Sequence, residues 1–599
     1  SLKPSKVTKS QLVPCTICAI PVPHAMRYKQ LACTCSECKK VAPYTTCPWL
    51  GKVLICQVAR IAAVSEADKH ITVATASRKM KLTEPQKEFA REMAKHGMKP
   101  AHVRNAMRSK FRLDDDDLPT LRQVQNFVNH FSKSKLGAND RCIEINTEIR
   151  SMAYCGTEAD AQSFSFAWEE DADGHPLMGN GSDDRPFLVG LTTKRLLRRM
   201  DRDPSTFVFH MDATFKLNQV GYPVFVCGIS DKTRSFHLVA IFVTSQRQVS
   251  EYEAALAALR RVYTRVTSKQ LALKYVMGDA DDAQYNGFQS VFAMDCNLTY
   301  MMCFYHVMAK VIERTRGLQA SQAAVVTRDI YDLHFSRSDE AYEDRKEDIL
   351  SNWGVCDELL EFSAYFKKQW LVGKFRLWQC YQSPSGHATT NNPVEQFNRL
   401  LKRDYTQRRQ LKMGMLIKQL AACCTDQSMS TRPFQLVTEA SSTLNNRVKE
   451  FRRQGLLTEF NPRRGTLEYL LHDAQPNIAH IRSEGVQRVY VPSRNRTQEV
   501  IAISAGMGVQ YARMERQGQP PTGWEVDVRC GVCPCNYFFK FGSCIHLSFA
   551  LQVRNVIDSD GNARLVYRGV NKRKRGQDSV MRGALVGRPP NNGHALDIQ

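Results

Sequence analysis

The sequence predicts a mixed α/β fold in which a five-stranded sheet is flanked by helices. Short apolar runs alternate with amphipathic helical segments between residues 206 and 310, which indicates strands joined by helices. Helical periodicity then continues without strands from about 311 to 385, which indicates a helical insertion. Cysteine clusters near both ends of the chain predict small metal-binding modules outside the sheet.

The composition favours several folded domains and a negatively charged partner. A chain of 599 residues is longer than one hydrophobic core usually extends, and its hydrophobic fraction of 43% suffices for folding. The formal net charge of +23 favours a nucleic acid, whose phosphates attract lysine and arginine, although such charge can also serve solubility alone. No apolar segment approaches the ~18 residues of a membrane span, and the N-terminus shows no signal segment. We therefore expect a soluble intracellular protein with no membrane partner.

The predicted elements of the sheet follow one another in a defined order. Strands are predicted over 207–211, 224–229 and 238–243, then a helix over 251–262, a strand ending at 277, a helix over 283–292, a strand over 300–304 and a helix from 306. Three strands followed by alternating helices and strands is the RNase H-like order. A mixed sheet follows from it, with the functional edge where strand ends meet.

Three acidic residues lie where this fold can bring them together. Asp212 comes directly after the first predicted strand and Asp279 directly after the fourth, and these strand ends are neighbours in the fold. Glu395 opens a later helix that can pack against the same edge. Phosphodiester cleavage and joining need two divalent ions, Mg²⁺ or Mn²⁺, that lie ~3.5–4 Å apart and are held by carboxylates. Asp212, Asp279 and Glu395 are therefore predicted as catalytic, metal-binding residues.

Each of these acidic residues has a plain structural alternative. An aspartate after a strand is often a turn former, and Glu395 lies three residues after Asn392, where a capping-box glutamate belongs. Asp281 and Asp282 are rivals of Asp279 for the second carboxylate. The spacing by itself leaves the choice among them open.

Clustered cysteines near the N-terminus predict a structural zinc site, because intracellular cysteines rarely form disulfides. Two Cys-x-x-Cys motifs supply the predicted ligands, which are Cys15, Cys18, Cys35 and Cys38. The further candidate ligands are Cys33, Cys47 and His24. The choice of four ligands stays open, and the alternative is a set of buried free thiols.

Residues 80–135 predict three short helices. Thr83 is a suitable N-cap with Gln86 three residues on, and Pro100 and Pro119 begin the next two helices. The pattern is typical of a helix-turn-helix, which places one helix in the major groove of DNA, although a helical spacer would have the same pattern. The predicted DNA-binding residues on the polar faces are Arg104, Arg108 and Arg122.

A second cysteine cluster lies near residue 540. Cys533 and Cys535 form a Cys-x-Cys motif, and Cys544 and His546 form a Cys-x-His motif eight residues later. Three thiolates and one imidazole make a closed tetrahedral set suited to structural Zn²⁺.

Cys303 and His306 also have metal-ligand spacing. They lie three residues apart and can form half of a zinc site. The sequence supplies no two further ligands for them, so we interpret them as structural.

Four motifs together resemble the Mutator-like transposase family. They are HMDATFKLN with Asp212, GDADDAQYNGFQSVF with Asp279, CFYH from Cys303 to His306, and TTNNPVEQFNRLLK with Glu395. The resemblance covers about residues 80–550, and its matches at Ala283 and Phe292 favour Asp279 over Asp281 and Asp282. It implies that the three acidic residues bind the catalytic ions and that a helical insertion precedes the glutamate. It also implies that the cluster near 540 is a SWIM zinc finger.

The resemblance implies a DDE-type DNA transposase that acts in the nucleus. Such an enzyme binds double-stranded DNA at terminal inverted repeats, cleaves the transposon ends and joins the 3′-hydroxyl to target DNA, and it is expected to act as a homodimer or larger oligomer. The rival is a domesticated, DNA-binding transcription factor without cleavage activity, similar to the far-red-response factors of plants. The acidic triad favours the enzyme, because a pure binder needs no metal-binding carboxylates.

The basic tail fits a nuclear, DNA-binding protein. Residues 572–575 fit a nuclear localisation signal, and Arg588 lies in a segment similar to the core of an AT-hook, which binds the minor groove.

The resulting domain prediction has eight parts. These are an N-terminal zinc module at 1–60, a helix-turn-helix-like domain at 80–135, the first part of the catalytic core at 190–310, the insertion at 311–385, the last core helix at 386–425, a helical and irregular basic region at 426–520, the SWIM-type finger at 521–552 and a disordered basic tail at 560–599.

Overall fold

A computed structural model of the chain describes residues 3–73, 81–115, 117–170, 176–463, 465–467, 477–485 and 498–565. The chain divides between Ser132 and Lys133 into two compact units. The predicted localisation signal at 572–575 and Arg588 lie outside the described residues. In the part of the chain that is described, no helix combines the length and the apolar character needed to cross a membrane.

The strands are β1 (Ser5–Pro14), β2 (Ala25–Cys33), β3 (Leu50–Cys56), β4 (Ile61–Ala67), β5 (Phe164–Phe166), β6 (Glu169–Glu170), β7 (Pro176–Leu177), β8 (Leu188–Thr192), β9 (Val208–Thr214), β10 (Val224–Ser230), β11 (Phe236–Thr244), β12 (Tyr275–Gly278), β13 (Thr299–Met302), β14 (Leu457–Glu459), β15 (Ile478–Ser483) and β16 (Trp524–Asp527).

The α-helices are α1 (Ser36–Val41), α2 (Glu84–Lys95), α3 (Pro100–Phe111), α4 (Leu121–Lys135), α5 (Cys142–Ser151), α6 (Lys194–Leu197), α7 (Val249–Thr267), α8 (Asp282–Phe292), α9 (Phe304–Arg314), α10 (Ala320–His334), α11 (Asp339–Gly354), α12 (Leu360–Phe366), α13 (Asn392–Leu400), α14 (Met413–Met429), α15 (Ser442–Arg453), α16 (Gln498–Arg516), α17 (Asn536–Phe541) and α18 (Ile545–Val553).

The first unit begins with a small antiparallel sheet in the order β1-β2-β3-β4. Nearly all side chains of β1 and all those of β4 are exposed, so this sheet buries little apolar surface of its own. A domain with so small a core usually needs bound metal or disulfides for stability. The cysteines around this sheet are therefore of structural interest.

Three helices follow in the first unit. Helix α2 begins with a capping box between Thr83 and Gln86, and α3 begins at Pro100, both as predicted. Helix α4 begins at Leu121 and not at Pro119. Thr120 accepts a hydrogen bond from the backbone N–H of Gln123, at 3.4 Å, and so caps α4 two residues later than the proline suggests.

The second unit is built on a seven-stranded mixed sheet in the order β13-β12-β9-β10-β11-β8-β5. Strands β9 and β12 are parallel, as are β12 and β13, and the other neighbours are antiparallel. The five predicted strands are β9 to β13, but the sheet is wider than predicted. The two additional strands, β8 and β5, have only five and three residues. Both lie before residue 206, outside the segment in which strands were predicted.

Helices cover both faces of this sheet. On one face, Phe225 of β10 stacks on Tyr252 of α7, with 4.6 Å between ring centroids. On the other face, Val226 packs in a cluster with Val394 of α13 and Leu416 of α14. Side chains of this size contribute roughly 1.5–3 kcal/mol each when fully buried. Burial on both faces explains why β10 is a continuous apolar run.

The observed strand ends differ from the predicted ones at one important residue. Strand β9 continues to Thr214, so Asp212 lies inside the strand and not directly after it. Pairing with β10 extends this far, with Asp212 opposite Val226 and Thr214 opposite Val224. Backbone pairing therefore continues beyond the apolar run from which the end of the strand was predicted.

The segment predicted as an insertion is helical and packs on the α7 face of the sheet. Helices α10, α11 and α12 contribute Tyr331, Trp353 and Phe362, respectively, to the same apolar cluster as Phe288 of α8. The insertion therefore extends the core of the second unit.

The C-terminal part of the described chain forms a small sheet, β14-β15-β16, covered by α15 and α18. Its apolar cluster contains Val448, Ile481, Val526 and Ala550, together with three buried cysteines. These elements frame the second cysteine cluster.

Candidate active site and metal-binding modules

Two neighbouring strands bring Asp212 and Asp279 to the same edge of the large sheet. The parallel register of β9 and β12 pairs Phe209 with Val276 and His210 with Met277. Two residues further along, this register places Asp279 level with Asp212. The topology thus explains how two aspartates far apart in sequence become neighbours.

Helix α13 carries Glu395 at this edge and is anchored there by two asparagines. Asn391 Nδ2 donates a hydrogen bond to Asp279 Oδ1 at 2.9 Å, and Asn398 Nδ2 donates to Asp212 Oδ2 at 2.6 Å. Asn391 is the N-cap residue and Asn398 lies about two turns further along the helix, so the two bonds flank Glu395. They orient the helix against both strands.

Glu395 does not serve as a helix cap. Helix α13 begins at Asn392, and the side chain of the N-cap residue, Asn391, makes no capping hydrogen bond to the described helix. Asn391 bonds Asp279 with its side chain, and its carbonyl oxygen accepts from the backbone N–H of Glu395 at 3.1 Å. The arrangement differs from a capping box, in which the Glu395 carboxylate would bond the N-cap backbone.

The carboxylates form a partly buried region of negative charge. Burial, with the charges of Asp279 and Glu395, raises the pKa of Asp212 to about 7. Burial and the charge of Asp279 raise the pKa of Glu395, while His306 opposes this rise. Partly buried anions close together are unfavourable unless cations offset their repulsion. This edge therefore fits divalent cations held by oxygen ligands.

The three carboxylates do not close around one point. Among the described residues, the compact clusters of three or more possible ligand atoms, all within 4.8 Å of one another, include neither Asp212 nor Glu395. The three carboxylates thus line the edge of the sheet with wider spacing than the ligands of one ion.

The rivals of Asp279 have other structural partners. Asp281 is the N-cap of α8 and accepts from the backbone N–H of Ala283 at 3.0 Å, and it also pairs with Arg247. Asp282 is largely exposed and forms an ion pair with Lys374 at 2.5 Å. The hydrogen bond from Asn391, on the helix that carries Glu395, goes to Asp279.

Cys303 and His306 lie beside Asp279, which the sequence did not indicate. His306 Nδ1 is 2.9 Å from Asp279 Oδ1, and one ligand atom from each of the three residues lies within 4.8 Å of the other two. Burial disfavours a charge on His306, but the neighbouring Cys303 and Asp279 raise its pKa to about 12. This cluster therefore stabilises a positive charge next to the acidic edge.

A basic cleft of about 1670 Å³ adjoins helix α13. Its lysines and arginines are Arg199, Lys216, Arg234, Arg399, Lys402, Arg403, Arg408, Arg432 and Lys540. Among the described residues that line it, none is acidic. Lys402 interacts electrostatically with the acidic edge: burial lowers the pKa of Lys402, and the charge of Asp212 opposes this decrease. The cleft thus offers a cationic surface along α13, and its Lys402 is within electrostatic reach of Asp212.

In the first unit, the structure divides the predicted zinc ligands between two sites. Each site has three cysteines and one histidine: Cys15, Cys18, His24 and Cys56 form one, and Cys33, Cys38, Cys47 and His70 form the other. Cys35 belongs to neither cluster. The predicted set of Cys15, Cys18, Cys35 and Cys38 is therefore corrected, because the two Cys-x-x-Cys motifs lie at opposite ends of β2.

The geometry of both clusters fits Zn²⁺. In the first, His24 Nε2 lies 3.2 Å from both Cys18 Sγ and Cys56 Sγ, while its Nδ1 is engaged by Val22 O at 2.7 Å. In the second, His70 Nδ1 lies 3.5 Å from Cys47 Sγ. A histidine with one ring nitrogen held by the backbone presents the other as a metal ligand.

Two of these ligands, Cys56 and His70, were not predicted from the sequence. Cys56 ends β3 and His70 follows β4, so both are distant in sequence from the paired motifs. Both residues lie at ends of strands in the same antiparallel sheet, and these strand ends return to the ends of β2. This position is the sequence feature that could have identified them as ligands. The two sites lie at opposite ends of β2, and bound metal there would stabilise a sheet that has little apolar core.

The second cysteine cluster has the predicted composition. Cys533, Cys535, Cys544 and His546 are all buried and place their ligand atoms within 4.8 Å of one another. Ser483 Oγ lies 2.9 Å from His546 Nε2, which leaves Nδ1 to face the thiols. Burial, with a contribution from Arg447, lowers the pKa of His546 to about 3, so the imidazole is neutral, as a metal ligand must be.

The predicted DNA-binding arginines of the first unit have different surroundings. Arg104 donates from Nε to the carbonyl oxygen of Pro119 at 2.8 Å, which fixes the loop before α4. Arg108 pairs with Asp115 and is half exposed. Arg122 is exposed in the first turn of α4. The residue best placed for contact with a partner is thus Arg122.

The comparisons with known proteins agree with the motifs. Residues 208–310 match the family model of the MULE transposase domain. This segment runs from the first residue of β9, through Asp212 and Asp279, into α9. No curated protein matches the chain. A transposase domain implies DNA binding and a transposase-related function. The match confirms, for residues 208–310, the Mutator-like transposase domain that the motifs predicted.

Proposed function

We propose that the protein is a DDE-type DNA transposase that cleaves transposon ends and joins their 3′-hydroxyl to target DNA. The observation that carries this proposal is the arrangement of Asp212, Asp279 and Glu395, which Asn391 and Asn398 hold at one edge of the sheet. The order β13-β12-β9-β10-β11, with its parallel and antiparallel pairs, supports an RNase H-like core.

The three carboxylates are suited to hold Mg²⁺ or Mn²⁺. Oxygen ligands match these ions, and the raised pKa of Asp212 marks an uncompensated negative charge that a cation relieves. Two such ions supply activation of the attacking oxygen and stabilisation of the leaving oxygen. The wide spacing of the carboxylates accords with a pair of ions.

The chain's own residues act by positioning. Asn398 and Asn391 each donate a hydrogen bond to one oxygen of one aspartate. The helix that carries both asparagines also fixes the distance of Glu395 from the strands. No protein nucleophile is required, so catalysis depends on geometry and charge.

The basic cleft is the proposed path of double-stranded DNA, both transposon ends and target. Nine lysines and arginines without an acidic neighbour among the described lining residues provide phosphate contacts irrespective of sequence. Sequence recognition of the terminal inverted repeats is assigned to the first unit, where Arg122 is exposed on α4. Because two ends must be joined, we expect a homodimer or larger assembly.

The zinc clusters are proposed as structural, and the one near residue 540 as a SWIM-type finger. Their cysteine and histidine ligands fit closed Zn²⁺ sites that stabilise small modules, and the four ligands near residue 540 are all buried. The basic segment at 572–575 supports a nuclear location, where the proposed substrate lies.

Charge-removing variants of the triad test the proposal. Asp279→Asn and Glu395→Gln keep the side-chain shape but remove the charge that holds Mg²⁺, so strand cleavage should fall by orders of magnitude while DNA binding persists. Asp282→Asn is the matched control, because Asp282 is exposed and pairs only with Lys374 among the described residues. Cleavage and binding are measured on labelled DNA from the ends of the element that encodes this protein.

Three outcomes contradict parts of the proposal. Tight binding of the ends without cleavage by wild-type protein, with either Mg²⁺ or Mn²⁺, would establish the domesticated DNA-binding factor. Loss of cleavage in Asp282→Asn but not in Asp279→Asn would show that Asp282, and not Asp279, is the second metal-binding carboxylate. Normal cleavage by Glu395→Gln would show that Glu395 is not a catalytic metal ligand.

A further inference from the structure

Three side chains beside the acidic edge offer ligand atoms for an ion softer than Mg²⁺. Asp279, Cys303 and His306 each place one such atom within 4.8 Å of the other two. The ligands of one tetrahedral Zn²⁺ lie roughly 3.3–3.8 Å apart, given bond lengths of ~2.0–2.3 Å. Small side-chain movements therefore bring the three atoms around one ion.

The backbone holds these ligands in place. Cys303 is the N-cap residue of α9, and its backbone N–H donates to Gly278 O at 2.9 Å, directly before Asp279. The backbone N–H of Asn391 donates to Cys303 Sγ at 3.2 Å. The thiol thus belongs to the same rigid frame as the aspartate.

The cluster is closed on one side and open on the other. Cys303 is fully buried, whereas the side chains of Asp279 and His306 are 30% and 37% exposed. His306 Nδ1 is itself buried, and Asp279 Oδ1 lies 2.9 Å away. An ion can enter from solvent, meet the thiol as its inner ligand and keep one position for water or a phosphate oxygen.

We infer that Asp279, Cys303 and His306 bind a thiophilic divalent cation such as Zn²⁺, which thereby competes with Mg²⁺ for Asp279. A thiolate and an imidazole favour Zn²⁺ strongly over Mg²⁺, which prefers oxygen ligands alone. The second half of the inference, inhibition of cleavage by zinc, rests on the proposed function. The first half, the site itself, does not.

Zinc counting tests the site without reference to cleavage. The full chain with its structural zinc is dialysed against buffered free Zn²⁺ without Mg²⁺, and bound zinc per chain is measured. Cys303→Ser keeps a good N-cap residue and removes the thiol, and Cys296→Ser is the control because that thiol contacts Asp295 outside the cluster. Wild type and Cys296→Ser should bind one more zinc than Cys303→Ser. If Cys303→Ser misfolds, His306→Gln decides, and equal zinc binding by wild type and His306→Gln overturns the site.

Zinc inhibition tests the competition. Each variant that cleaves is compared with its own zinc-free rate at fixed Mg²⁺. Half-inhibition of Cys303→Ser should need at least about tenfold more Zn²⁺ than wild type or Cys296→Ser, which is the loss of affinity expected when one ligand is removed. An unchanged half-inhibition, in a variant that has lost one zinc, overturns the competition for Asp279. If no variant cleaves, the proposed function fails while the zinc count still decides the site.

Discussion

Removing the charge of Asp212 is expected to stabilise the protein in the absence of Mg²⁺ while abolishing cleavage. Burial and the charges of Asp279 and Glu395 raise the pKa of Asp212 from 3.8 to about 7. Each pKa unit corresponds to about 1.4 kcal/mol, so ionised Asp212 costs the folded state up to about 4 kcal/mol relative to the unfolded state. Asp212→Asn removes this cost, and its amide oxygen can still accept the hydrogen bond from Asn398.

The effect depends on pH in a defined direction. Because the pKa is higher in the folded state, the folded protein holds the proton more tightly, and the penalty is absent below about pH 3.8. It grows as the pH rises and is complete above about pH 7. The stability advantage of Asp212→Asn should therefore be largest near pH 8 and small near pH 4.5. Mg²⁺ should stabilise the wild type and narrow the difference, since the variant has lost a ligand.

Thermal unfolding of the core, followed by tryptophan fluorescence between pH 4.5 and pH 8 without chelators, measures this difference. Several tryptophans of the second unit, such as Trp353 and Trp370, are buried and report on its core. Asp282→Asn, an exposed site, is the control for a general change in charge. The reasoning is refuted if Asp212→Asn is less stable than the wild type at pH 8, or if the difference is the same at both ends of the pH range.

Two further predictions concern zinc. Cys544→Ser should lose one zinc and make residues 521–552 sensitive to proteolysis, because a structural zinc site contributes folding free energy directly, whereas Cys530→Ser, an exposed thiol outside the cluster, should do neither; equal effects of both variants would disprove the assignment. In the first unit, metal analysis should find one zinc fewer in Cys38→Ser and no loss in Cys35→Ser. A loss in both would restore the ligand set predicted from the paired motifs.

The sheet shows which structural features can be predicted from local pattern. The strands β9 to β13 were predicted because buried strands are continuous apolar runs whose type is visible over a few residues. The strand β8 lies before the segment in which strands were predicted and was missed, and its place in the sheet depends on pairing with β11. The position of Asp212 within β9, and not after it, likewise depends on pairing with β10.

The zinc sites show the same limit. The cluster at Cys533 to His546 has its ligands close together in sequence, so its composition was predicted in full and the structure brings the four together. In the first unit, each site takes ligands from several strand ends, and spacing suggested Cys35, which belongs to neither site, and missed the distant Cys56 and His70. Spacing cannot reveal ligands that meet only when a sheet has formed.

By itself, the sequence determined the mixed α/β class, the basic charge, the short-range cysteine module and the family of its transposase domain. These are properties of local pattern or of motifs, and they exist before the chain folds. Only the tertiary structure decided that Asn391 and Asn398 hold the two aspartates, that a basic cleft adjoins helix α13, and that Cys303 and His306 lie beside Asp279. These contacts join residues up to 186 positions apart. They depend on strand register and helix packing, which no single stretch of sequence encodes.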